Sequence, residues 1–248
     1  MERLMRNPLV LIALMILSGA VGAGLFAAAR PWIGGATAAS GATDGAAVRS
    51  YLLANPEVIP EALERLQARE TARQVAANRG AITTAFAGAA AGAKQGDVTV
   101  AVFMDYACGF CRASLPAIAQ LIATDPKVRI VYRELPVLSA QSRVAAEWAL
   151  AAAEQGRYRG FHDAVFAAGQ VSEGSVAAAA RTAGLDLARA ERVRLSPAVE
   201  NELTNNLAIA RQLGVSGTPA WVVGDRVLSG VQTFEGLRDA VAAARAPR

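Results

Sequence analysis

Cys108 and Cys111 are the only two cysteines of the 248-residue chain. They sit in Phe103-Met104-Asp105-Tyr106-Ala107-Cys108-Gly109-Phe110-Cys111-Arg112. The preceding run, Asp97–Met104 (DVTVAVFM), is almost continuously apolar and β-rich, the pattern of a central strand. Tyr106–Cys111 reads as a turn, and Arg112–Ala123 as a helix that Pro116 should kink. A C-x-x-C between a strand and a helix places its first sulfur at the helix N-terminus. Unpaired N–H groups and the positive end of the dipole there favour a thiolate, the attacking form. Cys108 is then the attacking thiol. Cys111, one turn inside and more shielded, is the resolving thiol. Two other uses of the pair remain. A structural bridge across two residues closes too short a loop to gain much from unfolded-state entropy. A metal pair would need ligands from another chain.

A second segment bears on the same chemistry, Val215-Ser216-Gly217-Thr218-Pro219-Ala220-Trp221-Val222-Val223. A proline at the head of a strand is permitted because its missing N–H falls outside the ladder. Other chemistries are poorly supplied. With one histidine, His162, and two cysteines, the chain cannot fill a four-ligand structural zinc site. His162 lies in FHDAVF, a helical, half-apolar context that suits packing better than a triad. Trp148 and Trp221 read as core or groove lining, and Phe110 as an exposed aromatic beside the reactive sulfur.

These parts need positioning elements. Lys127–Leu135 (KVRIVYREL) is a second strand, joined to the first through a helix and so parallel to it. Ser139–Gln155 is a helix with Ser139 as N-cap. Further helical pieces cover about 157–168, 173–183, 186–194 and 198–213. Thr218–Val223 and Arg226–Ser229 form a hairpin at Gly224-Asp225, and a last helix starts at Phe234. The order is strand–helix–strand, a helical block, then strand–strand–helix: an α/β sandwich with a helical insertion at about 139–213.

The N-terminus reads differently. Arg3 and Arg6 precede an uncharged stretch from Pro8 to Ala29. About 20 apolar residues span a bilayer core as a helix. The positive flank stays in the cytoplasm, which exports the rest. Residues 1–30 are thus a membrane anchor, with a cleaved signal segment ending near Ala36-Thr37-Ala38 as the alternative. Residues 31–45 read as a linker. From Ala46 to about Gly80 the chain is helical, broken at Asn55-Pro56. Val48, Tyr51, Leu52, Val58, Ile59, Leu63 and Leu66 approximate an apolar stripe, to be buried on the chain's own domain or against a second copy. The formal net charge of +4 comes from scattered Lys and Arg, without a basic run, which argues against nucleic-acid binding.

FxDYxCxFC after a strand, GVxGTPAWVV before a hairpin, and the helical insertion between them together resemble the DsbA-like branch of the thioredoxin superfamily. YRELPVLSAQSRVAAEWALAAAEQGRYRGFHDAVF fits the same pattern, and the likeness runs from about residue 97 to 245. YLLANPEVIPEALERLQ is similar to the N-terminal helical region of the ScsC-type subgroup, associated with copper tolerance and disulfide exchange. The resemblance implies a thioredoxin-like fold over 94–248, preceded by a helical region at 46–93. It makes Cys108 the nucleophile, Cys111 the resolving cysteine, Pro219 a cis-proline and Thr218 the residue before it that faces the site. Asp105, Gly109 and Phe110 complete the expected active site. The family implies no cofactor beyond the redox-active Cys108–Cys111 disulfide, and no metal. Expected partners are protein thiols and disulfides, a membrane redox partner, the inner membrane through residues 8–29, and further copies through 46–93. The expected location is the bacterial periplasmic side.

The chain departs from the family at two points. Gly109-Phe110 replaces the Pro-first, His- or Tyr-second dipeptide of many members, so no imidazole lies next to Cys108. Val102 stands where many thioredoxin-like proteins carry a buried acid. Asp105 is expected either to relay a proton in its place or to cap the helix. The direction, as oxidase, isomerase or reductase, stays open. A Cu(I)-binding role for the same thiols is the alternative function.

Overall fold

The computed structural model describes the backbone of residues 38–246 and the side chains of 44–246. The expected anchor at 8–29 and the first part of the 31–45 linker lie outside the described residues. Among the described residues, no helix is long and apolar enough to cross a membrane. The chain divides into two compact units, up to Glu64 and from Arg65 onward.

The first unit contains helix α1 (Ala38–Ala54) and the start of helix α2 (Val58–Ala77). Helix α1 begins inside the stretch expected as a linker, a correction with a simple cause. Ala38, Ala39 and Ala42 are strong helix formers and lead directly into AAVRSYLLA. The break at Asn55-Pro56 is present. Asn55 closes α1 by donating both its backbone N–H and its side-chain amide to the Tyr51 carbonyl.

The second unit is a five-stranded sheet with helices on both faces. Its strands are β1 (Ala90–Gly92), β2 (Val98–Met104), β3 (Val128–Glu134), β4 (Ala220–Val223) and β5 (Arg226–Ser229), in spatial order β1-β3-β2-β4-β5. Strands β2 and β3 are parallel, as their helical connection requires; the other pairings are antiparallel. Strand β2 is central and buried on both faces, which explains its unbroken apolar run. Val100, Val102 and Met104 face a core shared with Ile130, Tyr132 and Trp221, while Ala101 and Phe103 face the opposite core.

Helix α3 (Arg79–Thr83), a short 3-10 turn (Phe86–Gly88) and β1 precede β2. Helix α4 (Gly109–Thr124) joins β2 to β3 and packs on the Val102 face through Cys111, Ile118 and Leu121. It runs as one element through Pro116. Five helices make the insertion: α5 (Ala140–Ala153), α6 (Tyr158–Ala167), α7 (Glu173–Thr182), α8 (Leu187–Arg194) and α9 (Pro197–Gln212). The Ser139 hydroxyl caps α5 by accepting the Ser142 N–H at 3.0 Å. Alanines bring α5 close to its neighbours; Ala145, Ala149, Ala151 and Ala152 are fully enclosed. Helix α9 returns to the sheet, placing Ile209 and Leu213 on the Phe103 face. Gly224, at φ +65°, turns the β4–β5 hairpin, and helix α10 (Phe234–Arg245) closes the unit.

Candidate active site

The Cys108 sulfur occupies the N-cap of α4, where it accepts the Cys111 N–H at 3.3 Å. The turn expected to reach Cys111 thus ends at Cys108, and the helix starts at Gly109. Backbone bonds hold the cap, with the Cys108 N–H on the Asp105 carbonyl and the Arg112 N–H on the Cys108 carbonyl. Cys108 is 5% exposed and Cys111 fully buried, and both are free thiols. Both sulfurs are thus buried, with Cys108 the less enclosed of the two and held on one N–H donor. Burial pushes the Cys111 thiol far above its ordinary value, against the lowering influence of the Asp105 backbone and the Thr218 hydroxyl.

The other half of the site comes from the loop before β4. The Thr218–Pro219 peptide is cis. The Thr218 carbonyl accepts the Cys108 S–H at 3.2 Å, so the segment faces the motif across the sheet. The Thr218 hydroxyl is buried with no hydrogen-bond partner. Its effect on Cys111 is to favour the thiolate, against burial.

Asp105 does not cap the helix, as one of its two expected roles required, because the cap position is taken by Cys108. Its carboxylate accepts the Ala107 N–H at 2.7 Å on one oxygen, and the Val137 and Leu138 N–H groups at 2.8 and 2.9 Å on the other. With three backbone donors it ties the turn down; the helix cap is Cys108. Val102 is enclosed in the same core as Cys111. Gly109 has open space where a Cβ would lie and a negative φ, so the backbone does not require glycine. Phe110 is 69% exposed, as expected of an aromatic next to the sulfur. Trp221 is core, with its indole N–H on the Gly230 carbonyl at 2.9 Å. Trp148 is partly buried beneath the Arg194 guanidinium.

His162 is buried, and burial lowers it to about 3, so it is neutral. Its Nδ1 lies 3.1 Å from the Tyr106 hydroxyl and 3.3 Å from that of Tyr158. Both hydroxyls donate to Oε1 of Glu134, at 3.0 and 2.7 Å. Glu134 is completely buried, and desolvation raises its carboxyl to about 8. Glu134 and Tyr158 are the residues that sequence reasoning missed. The signal was the period of two in VRIVYRE, which puts Glu134 on the same inward face as Val128, Ile130 and Tyr132. Among the described residues, no group of three or more His, Cys, Asp or Glu side chains is placed to hold a metal ion.

The chain matches the model of the DSBA-like thioredoxin domain over residues 99–242, and that of the copper resistance protein ScsC N-terminal domain over 45–73. It is similar to the crystal structure of a thioredoxin-like oxidoreductase from Silicibacter pomeroyi DSS-3. That likeness is at 39% identity and TM-score 0.65, over 68% of this chain and 98% of the other. A linker-deleted variant of Proteus mirabilis ScsC is similar at 25% identity and TM-score 0.68, over 84% of this chain and 96% of the other. A Na(+)/H(+) antiporter, NhaA 3 of Salinispora tropica, is 30% identical over 154 residues. These are 61% of this chain but only 24% of the antiporter, so the chain spans about a quarter of that curated relative. With the dithiol at a helix N-terminus, the facing cis-proline and the inserted helices all in place, the chain belongs to the DSBA-like thioredoxin domain family, the thiol–disulfide oxidoreductases of the thioredoxin fold.

Proposed function

We propose that the chain is an exported oxidoreductase that exchanges disulfides with protein thiols through Cys108 and Cys111. The observation that carries this is the Cys108 sulfur, capped by the Cys111 N–H and facing the Thr218 carbonyl. In the oxidising direction, a client thiolate attacks Cys108 Sγ of the Cys108–Cys111 disulfide. The S–S bond breaks, and its electron pair leaves with Cys111, which takes up a proton. A second client thiolate then attacks the client sulfur of the mixed disulfide. That releases a client disulfide and the Cys108 thiolate, with two electrons now on the pair. The same steps reversed reduce a client, and the two in succession isomerise one. The equilibrium of the pair against glutathione sets the direction.

Exposed apolar side chains around the sulfur support unfolded protein as the client. Phe110 lies between the cysteines. Val137 and Leu138 sit on the Asp105 loop, and Val231 follows Gly230, which bonds the Pro219 carbonyl. Cys108→Ser is expected to abolish both oxidation of a reduced client and rescue of a scrambled one. Full activity in that variant would end the proposal.

Export is supported by the charged flank and apolar run of residues 1–29, with an anchored chain preferred over a cleaved one. Residues 46–93 are proposed to join copies of the chain. Tyr51, Ile59, Leu63 and Leu66 are exposed although apolar. Clustered sites can hold a misfolded client, which favours isomerase work. Leu63→Glu with Leu66→Glu is expected to convert a multimer to a monomer by light scattering, and to lose isomerisation while keeping oxidation. The copper resistance description of the matched N-terminal model favours one second reading, Cu(I) held between the two thiolates. Titrating reduced protein with Cu(I) tests it through protection of both thiols from alkylation.

A further inference from the structure

The turn that presents Cys108 is gripped from behind by the exit of β3, residues 134–138. The Leu135 N–H bonds the Met104 carbonyl at 2.8 Å, and the Val137 and Leu138 N–H groups bond Asp105. The remaining link in this grip is a side chain, Glu134, whose Oε1 accepts the Tyr106 hydroxyl at 3.0 Å. Tyr106 stands two residues before Cys108 and is 4% exposed. Tyr158 of the helical insertion donates to the same oxygen.

Counting protons shows that Glu134 orders the group. Each phenol has one hydrogen, and both are committed to Glu134 Oε1. His162 Nδ1, close to both hydroxyl oxygens, therefore has no hydrogen left to accept and must donate its own. The neutral ring then carries its bare lone pair on Nε2, the atom that has no partner. Every polar contact in the group follows from Glu134 being an acceptor.

We propose that Glu134 is a positioning residue for Cys108: its Oε1 fixes Tyr106, and Tyr106 fixes the turn that aims the Cys108 sulfur at the Cys111 N–H. This rests on the reading of Cys108 as the attacking thiol. The function needs an acceptor and not a charge. Asp105 and Glu202 lie close enough to oppose a negative charge on Glu134, and burial outweighs the two phenol hydrogen bonds that favour it; the carbonyl oxygen of the neutral carboxyl still accepts both phenols. A turn that loosens loses the N–H contact to sulfur. Attack by the sulfur then slows, and the reduced state loses stabilisation relative to the disulfide.

The test compares Glu134→Gln, Glu134→Leu, Tyr106→Phe and Tyr158→Phe in the full-length chain. Mass spectrometry reads the rate of Cys108 alkylation by iodoacetamide at neutral pH, and a glutathione titration reads the dithiol–disulfide equilibrium. Glu134→Leu and Tyr106→Phe are expected to slow alkylation about tenfold and to shift the equilibrium toward the disulfide by a similar factor, since small misplacements of a reacting group are costly. Glu134→Gln, which keeps the acceptor, stays within about twofold of the parent in both readouts. Tyr158→Phe removes a hydrogen bond of the same kind while the bond from Tyr106 to Glu134 stays, so it lowers Tm and leaves both readouts within about twofold of the parent. If Tyr106→Phe and Glu134→Leu lower Tm while both readouts match the parent, the group only packs and the proposal fails. Should Glu134→Leu not fold, Tyr106→Phe, which loses a single oxygen, decides alone. Neither readout requires a client, so this outcome is separate from the Cys108→Ser result.

Discussion

Replacing Cys111 by serine is expected to leave Cys108 reactive and to trap it in mixed disulfides with its clients. Cys108 keeps its N–H donor in this variant, because the donor is the backbone of residue 111. Attack therefore proceeds. Release does not, because the resolving thiol is gone. A nucleophile held within one helical turn acts at an effective concentration far above that of any external thiol, so release should slow by about 1000-fold or more. Non-reducing gels of quenched samples would show the adducts accumulating, and alkylation of free Cys108 at the parent rate would confirm that the site is intact. Release of clients at the parent rate would show that another group resolves the adduct. The parent protein should carry a mark of the same arrangement. Burial raises the Cys111 thiol. Resolution should accelerate about tenfold per pH unit through the neutral range, as thiolate attack does below the pKa of the thiol.

Stability should depend on pH in two opposite directions, traceable to two buried side chains of one cluster, His162 and Glu134. His162 is held to about 3 in the folded protein, against 6.5 when unperturbed. The unfolded chain binds that proton first, so the contribution of His162 is complete above 6.5 and is lost as pH falls toward about 3. Glu134 behaves inversely. Its folded value is raised to about 8 from 4.5, so the folded state keeps a proton that the unfolded chain releases. That contribution is complete below 4.5 and is lost as pH rises to about 8. Urea midpoints across this range should therefore fall on both sides. Glu134→Gln is expected to flatten the limb between 4.5 and about 8, and His162→Gln the limb between about 3 and 6.5. Parallel profiles for the parent and Glu134→Gln would place the alkaline dependence elsewhere.

Much of this arrangement is legible in residues with local, periodic or steric signatures. Strand β2 is visible because both its faces are buried, and the hairpin because Gly224 must take a left-handed conformation. The attacking and resolving roles proposed for Cys108 and Cys111 rest on a helix start, which is a local property. What escapes the sequence depends on distant partners. Asp105 can be placed near the motif, but its three N–H donors include two from Val137 and Leu138, more than 30 residues away. Glu134 looks like the polar end of a strand until Tyr158, from another helix, is seen bonding it. The edge strand Ala90–Gly92 carries no β-branched residue to announce it. The helix at Ala38 is hidden by glycine and serine among the alanines.

The two residues between the cysteines have a further consequence. A side chain added at Gly109 would meet nothing within 4 Å, and Phe110 points into solvent. The cysteines on either side, by contrast, are packed into the core. The dipeptide is thus nearly uncoupled from folding, while it borders the sulfur whose electronic surroundings decide the potential. Selection, or an engineer, can change Gly109 and Phe110 to retune electron affinity without destabilising the scaffold. Sequence drift at these two positions would then report the redox demands on the protein, and conservation at Glu134, Tyr106 and Asp105 its architecture.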